Sequence, residues 1–146
     1  MPGYHREAAR HLAHWSSLTD SGIVYVVCLA GAQESSMKAP DYQEFLDGTA
    51  IGERWIEFRI PDRSVPADQS AFLVLLNRLS GLLQSSVAVV VIHCAAGVGR
   101  TGMVAASLLV RMGLTSAHAL ALVRGAGSEP ETRPQRKLVE LVPGEV

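Results

Sequence analysis

The chain has 146 residues, a formal net charge of −1 and a sequence pI near 6.5, which suits one domain and leaves no overall basic field for nucleic acid or an anionic membrane. With 48% hydrophobic and 18% charged residues there is apolar material enough for a core, and the composition argues against disorder. The opening Met1-Pro2-Gly3-Tyr4-His5-Arg6-Glu7 has no apolar run after a basic start, and no run approaches the roughly 20 residues of a membrane span. A soluble, cytoplasmic protein is expected.

Residues 5–18 suit a helix, on which His5, His11 and His14 have no carboxylate or cysteine neighbours at metal spacing and read as a solvated face. Ile23-Val24-Tyr25-Val26-Val27-Cys28-Leu29, bounded by Gly22 and Gly31, is continuously apolar and predicts a strand buried on both faces. Arg54 to Ile60 alternates charged and large apolar residues, a half-exposed strand that Pro61 stops. After Pro66 and Asp68, the positions Phe72, Leu75, Leu76, Leu79 and Leu83 recur at helical spacing, with Asp68 as a fitting N-cap. Val87 to Ile92, β-branched in five of six positions, reads as the central strand of the sheet. Val104, Ala105, Leu108, Leu109 and Met112 form a helical stripe stopped by Gly113. Thr115 caps a helix from Ala117 to Arg124, and Gln135, Leu138, Val139 and Val142 predict a last one after Pro134. Trp15 and Trp55 are taken as core residues. Strands alternating with helices indicate one α/β domain over 1–146, with a central, mainly parallel sheet flanked by helices and ligand sites at the C-terminal ends of its strands.

The chemistry concentrates at the end of the third strand, in His93-Cys94-Ala95-Ala96-Gly97-Val98-Gly99-Arg100-Thr101-Gly102. A strand, a short loop with two glycines and a helix start direct several N–H groups into one small volume, which suits a phosphate. The same amides stabilise a thiolate at Cys94, making it nucleophilic at neutral pH. Arg100 is placed to fold back and grip two phosphate oxygens with its planar fork, and Thr101 to offer its hydroxyl to the sulfur. Between the two prolines of Pro61-Asp62-Arg63-Ser64-Val65-Pro66, a stiff loop holds Asp62 at the end of a neighbouring strand. Asp68 is the reserve carboxylate. Glu34, just past the first strand, is a candidate to orient Arg100 by a bidentate salt bridge.

His-Cys-x5-Arg-Thr-Gly resembles the signature loop of the protein tyrosine and dual-specificity phosphatase superfamily, and Pro-Asp-x3-Pro is similar to its general-acid loop. The likeness extends over about residues 18–142 and is greatest to compact dual-specificity members. It implies a phosphatase fold and a two-step reaction without metal or other cofactor, through a cysteinyl-phosphate at Cys94, with Asp62 as general acid. It also implies that Ala95, Ala96, Gly97, Val98, Gly99 and Arg100 cradle the phosphate, that His93 orients the loop, and that Gln135 lies near the catalytic water. The expected partners are a phosphorylated protein or peptide and phosphate- or vanadate-type anions, with no nucleic acid or membrane, and the protein is expected to be a monomer. The chain is far shorter than tyrosine-specific members and has no separate tyrosine-recognition loop, which points away from strict phosphotyrosine specificity. A loop interior without lysine favours phosphoproteins over phosphoinositides or other small phosphoesters. A catalytically silent phosphopeptide-binding module, and sulfur-transfer or arsenate-reducing enzymes, are the rivals; the last two require no acid like Asp62. Cys28 reads as a core residue, with a reversible Cys28–Cys94 disulfide as the alternative.

Overall fold

The computed structural model describes the backbone of residues 8–144 and the side chains of residues 15–144. His5 therefore lies outside the described residues, as do the side chains of His11 and His14 and the start of the predicted first helix. In chain order the elements are α1 (Ala8–Ser21), β1 (Ile23–Cys28), α2 (Ala32–Lys38), α3 (Asp41–Gly48), β2 (Trp55–Glu57), α4 (Gln69–Leu83), β3 (Ala88–His93), α5 (Gly99–Arg111), α6 (Ser116–Gly125) and α7 (Arg133–Leu141). A single 3-10 turn, Gly52–Arg54, leads into β2.

The described strands form a parallel sheet in the order β2-β1-β3. The middle strand is thus β1, and β3 stands at one side of the described sheet, with its first three residues only half-buried. This corrects the expectation that Val87 to Ile92 is central. A continuous apolar run reports coverage of a strand's two faces, but says nothing about which strands lie beside it. β2 is shorter than the predicted Arg54–Ile60 segment, because ladder pairing covers only Val26 to Cys28 against Trp55 to Glu57. The chain nevertheless keeps company with β1, since Phe58 N–H donates to Cys28 O and Ile60 N–H to Leu29 O, both at 2.9 Å. Those two bonds carry the backbone to Pro61 and Asp62 beside the end of β1.

Side chains alternate across the sheet with period two, so the register assigns each to a face. Val27, Leu29, Ile92 and Cys94 join Phe72, Leu76 and Leu79 of α4, Met103 and Val104 of α5, and Leu138 and Val139 of α7 in one core. Complete burial of a leucine or phenylalanine there contributes about 1.5–3 kcal/mol. Val24, Val26 and Val91 face the other way, onto Tyr42, Phe45 and Leu46 of α3, with Trp15 and Trp55 half-buried at its margin. Cys28 is in register with His93 and so shares His93's face, opposite to that of Cys94. The Cys28 thiol donates to Ala30 O at 3.1 Å, and neither cysteine is in a disulfide. Residues that alternate across a sheet cannot be bridged while the strands keep this register, so the Cys28–Cys94 disulfide does not fit the fold.

Candidate active site

The loop between β3 and α5 opens at a fully buried histidine. His93 is 1% exposed; its Nε2 is hydrogen-bonded to the Tyr42 hydroxyl, and its Nδ1 lies 3.2 Å from Cys94 O. The imidazole thereby ties α3 to the first peptide of the loop, from behind the site. Further along, Gly97 has φ +76°, a left-handed conformation that favours glycine and turns its N–H inward. Gly102, on the first turns of α5, admits the backbone of Glu129, whose N, Cα and C would lie 2.5–2.6 Å from any added Cβ. The loop before α7 is therefore pressed onto the helix that follows the cysteine.

The Cys94 sulfur accepts a hydrogen bond from the Thr101 hydroxyl at 3.2 Å. Burial pushes the thiol up, but the Thr101 hydroxyl, the N–H groups of Thr101 and Gly97, and the Arg100 charge together outweigh it, so the net displacement is downward. These three hydrogen bonds and the start of α5 favour the thiolate, as expected for a sulfur at a helix N-terminus.

Arg100 is 2% exposed, and its charge is met by Glu34 in a bidentate pair: Nη1 to Oε2 at 2.9 Å and Nη2 to Oε1 at 2.7 Å. Nη1 also donates to Ile60 O at 3.0 Å. These bonds hold the Glu34 carboxyl at about 2, against burial, and raise the guanidinium's own value further. Glu34 comes from the first turn of α2, so this ion pair ties a helix without any buried residue to the loop. Three N–H donors on the two terminal nitrogens of a buried arginine are thus committed. Its Nε is also buried and has no hydrogen-bond partner among the described residues.

Asp62 stands over the cavity, 63% exposed, with Oδ1 3.4 Å from Arg100 Nη2 and accepting from Arg63 N–H at 3.1 Å. It belongs to a tight turn closed by Ser64 N–H to Pro61 O, in which Arg63 is left-handed with φ +57°. Asp68, by contrast, accepts from Ala71 N–H at 2.9 Å and is the N-cap of α4. Gln135 does not line the cavity. It is fully buried as the third residue of α7; its Oε1 accepts from Glu131 and Thr132 N–H, and its Nε2 donates to Ser64 O at 3.0 Å. One amide thus joins the turn that carries Asp62 to the loop before α7.

The cavity over Cys94 measures about 140 Å³, and Ala95, Ala96, Gly99 and Arg100 contribute to its wall. Three charged residues not singled out from the sequence line it as well: Lys38, Arg63 and Glu131. Lys38 carried a faint signal, being four residues after Glu34 and paired with it at 3.1 Å. Glu131 lies in a turn with no periodic pattern, where nothing local points to a site.

Fold and site together define a cysteine-dependent phosphatase. The family model described as Tc-R-P, "Polymorphic toxin system, DSP-PTPase phosphatase", matches residues 2–114, and the chain belongs to that family. Among solved structures it is similar to Tk-PTP in its active form, with 23% identity, a TM-score of 0.67, and 89% of this chain and 84% of that chain covered. A kinase associated phosphatase with serine in place of its catalytic-site cysteine gives 22% identity and a TM-score of 0.67, covering 85% and 70% of the two chains. PTPMT1 in complex with PI(5)P gives 12% identity and a TM-score of 0.67, covering 90% and 82%. At these identities the likeness concerns the fold. No curated protein matches the sequence. The chain is a phosphatase of the tyrosine and dual-specificity type, and a phosphorylated molecule is its substrate. Among the described residues no helix is long and apolar enough to cross a membrane.

Proposed function

We propose that Cys94 is the nucleophile, Arg100 the phosphate clamp and Asp62 the general acid of a two-step phosphomonoester hydrolysis. The thiolate attacks phosphorus, the S–P bond forms as the P–O bond breaks, and Asp62 protonates the departing oxygen. Water then releases phosphate and returns the thiolate, which the Thr101 hydroxyl stabilises as it leaves. The loop amides from Ala95 to Arg100 hold the non-bridging oxygens, while Glu34 and the His93–Tyr42 pair fix the clamp and the loop from behind. The buried Nε of Arg100 carries this reading: an anion over Cys94 supplies the acceptor that the described residues do not.

Phosphoproteins are the substrates that the site suits best. The rim carries Lys38 and Arg63 against Asp62 and Glu131, so it offers no excess positive charge for a head group with several phosphates. Among the described residues no aromatic side chain lines the cavity, which accords with a phosphoester site not restricted to phosphotyrosine. Two cysteines outside any disulfide accord with a reducing compartment such as the cytoplasm. The test is hydrolysis of 4-nitrophenyl phosphate by the wild type and by Cys94→Ser, with vanadate and a chelator as controls. Turnover that vanishes in Cys94→Ser, falls with vanadate and ignores the chelator supports the reading; turnover that persists in Cys94→Ser, or is lost to the chelator, refutes it.

A further inference from the structure

The cavity over Cys94 holds two carboxylates on different loops, and the reaction as described employs one of them. Asp62 stands on the Arg100 side, 3.4 Å from Nη2. Glu131 comes from the loop between α6 and α7 and lies against Gly99, the first residue of α5, so closely that a Cβ added to Gly99 would fall on Glu131 Oε2. The loop that carries it is fixed at several points. Ser128 Oγ donates to Gly97 O, the backbone of Glu129 packs on Gly102, and Glu131 N–H donates to Gln135 Oε1 at 2.9 Å. Gln135 also holds Ser64 O in the Asp62 turn, so both carboxylates are placed relative to each other through one buried amide.

This placement works against simple anion binding, because a negative charge beside a phosphate seat is repulsive. Among the described residues Glu131 has no ion-pair partner, whereas Asp62 faces Arg100 and Glu34 is shared between Arg100 and Lys38. Its carboxylate lines the cavity over Cys94 and is exposed, so its oxygens are available to a water molecule that enters the site from solvent.

We propose that Glu131 is a second catalytic carboxylate, which orients and deprotonates the water that hydrolyses the cysteinyl-phosphate, while Asp62 serves the first step. The water oxygen attacks phosphorus, an O–P bond forms, the S–P bond breaks, and its electron pair returns to Cys94 as the thiolate. The water's proton passes to the Glu131 carboxylate, which gives it up to solvent because the side chain is exposed. Charge is conserved: phosphate leaves as the monoprotonated dianion, and the negative charge that Glu131 loses reappears on sulfur. Gln135 is a positioning residue for this step.

The inference rests on the reading of Cys94 as nucleophile, and pre-steady-state kinetics with 4-nitrophenyl phosphate separates the two. In Glu131→Ala and Glu131→Gln the first nitrophenolate per enzyme should appear at a rate within threefold of the wild type. Steady-state turnover should then fall about 100-fold, leaving a burst near one equivalent and phosphate retained on the protein. The burst counts folded, competent enzyme, so a folding defect cannot imitate the result. Turnover like the wild type in both variants overturns the proposal and leaves the role of Cys94 intact. A burst rate that falls in parallel with turnover also overturns it, since Glu131 then acts in the first step. If Cys94→Ser still turns over, the reading beneath both has failed.

Discussion

Replacing Glu34 with glutamine keeps the side chain's shape and removes the charge that faces Arg100. The pair is bidentate, with Arg100 2% exposed and Glu34 23% exposed, so solvent screens it little. The hydrogen bonds from Arg100 are the main reason that the Glu34 carboxyl sits at about 2 where 4.5 is ordinary. That displacement corresponds to about 3 kcal/mol in favour of the ionised, folded form. Because the folded value is the lower one, the contribution is complete above about 4.5 and is lost as pH falls toward about 2; near pH 3.5 roughly 1 kcal/mol of it has gone, as linkage requires. Glu34→Gln is thus expected to unfold about 3 kcal/mol more easily at pH 7, with a melting temperature lower by about 10 °C for a domain of this size. Urea unfolding of both proteins at pH 7 and near pH 3.5 checks the reasoning. The stability gap should narrow by about 1 kcal/mol at the lower pH. A gap that is absent at pH 7, or of equal size at both values, refutes it.

Thr101→Val removes the hydroxyl that donates to the Cys94 sulfur, so the thiol should titrate at higher pH; iodoacetamide alkylation of Cys94 followed against pH reads this, and an unmoved midpoint contradicts it. Asp62→Asn should slow phenyl phosphate turnover about 100-fold, and 4-nitrophenyl phosphate much less because its better leaving group has little need of a proton. Equal losses on the two substrates would remove Asp62 from the acid role. Gln135→Ala leaves Ser64 O, Glu131 N–H and Thr132 N–H without their buried partner. It should cost about 2 kcal/mol, read as a lower melting temperature together with reduced turnover, and an unchanged melting temperature would contradict the bridging role.

The parts of the fold that were legible in the sequence are those written in local patterns. β1 and β3 announce themselves by uninterrupted β-branched runs, α4 by its leucine spacing and Asp68 cap, and the Cys94 loop by glycines and an arginine at fixed separations. α2 and α3 escaped notice for a physical reason: α2 buries no residue, and α3 gives Tyr42, Phe45 and Leu46 to the core within eight residues, too few turns for a period to emerge. The place of β3 beside rather than amid its neighbours depends on lateral pairing, which an apolar run does not encode. The site divides along the same line. Cys94, Arg100 and Thr101 share one loop and helix start, so their juxtaposition follows from spacing, and Asp62 is marked by its prolines. Glu34, expected from its place just past β1 to orient Arg100, does so in a bidentate pair, whereas Glu131 meets Gly99 only through tertiary packing. Gln135 illustrates the limit: a residue expected beside the catalytic water instead holds two loops together from within the core.

The most direct measurement is to quench 4-nitrophenyl phosphate turnover with acid and map the phosphorylated peptide by mass spectrometry. The account predicts phosphate on Cys94, present while substrate remains, absent in Cys94→Ser and enriched in the Glu131 variants. Continued turnover with no phosphate on Cys94 under any of these conditions, or with phosphate on another residue, would contradict it.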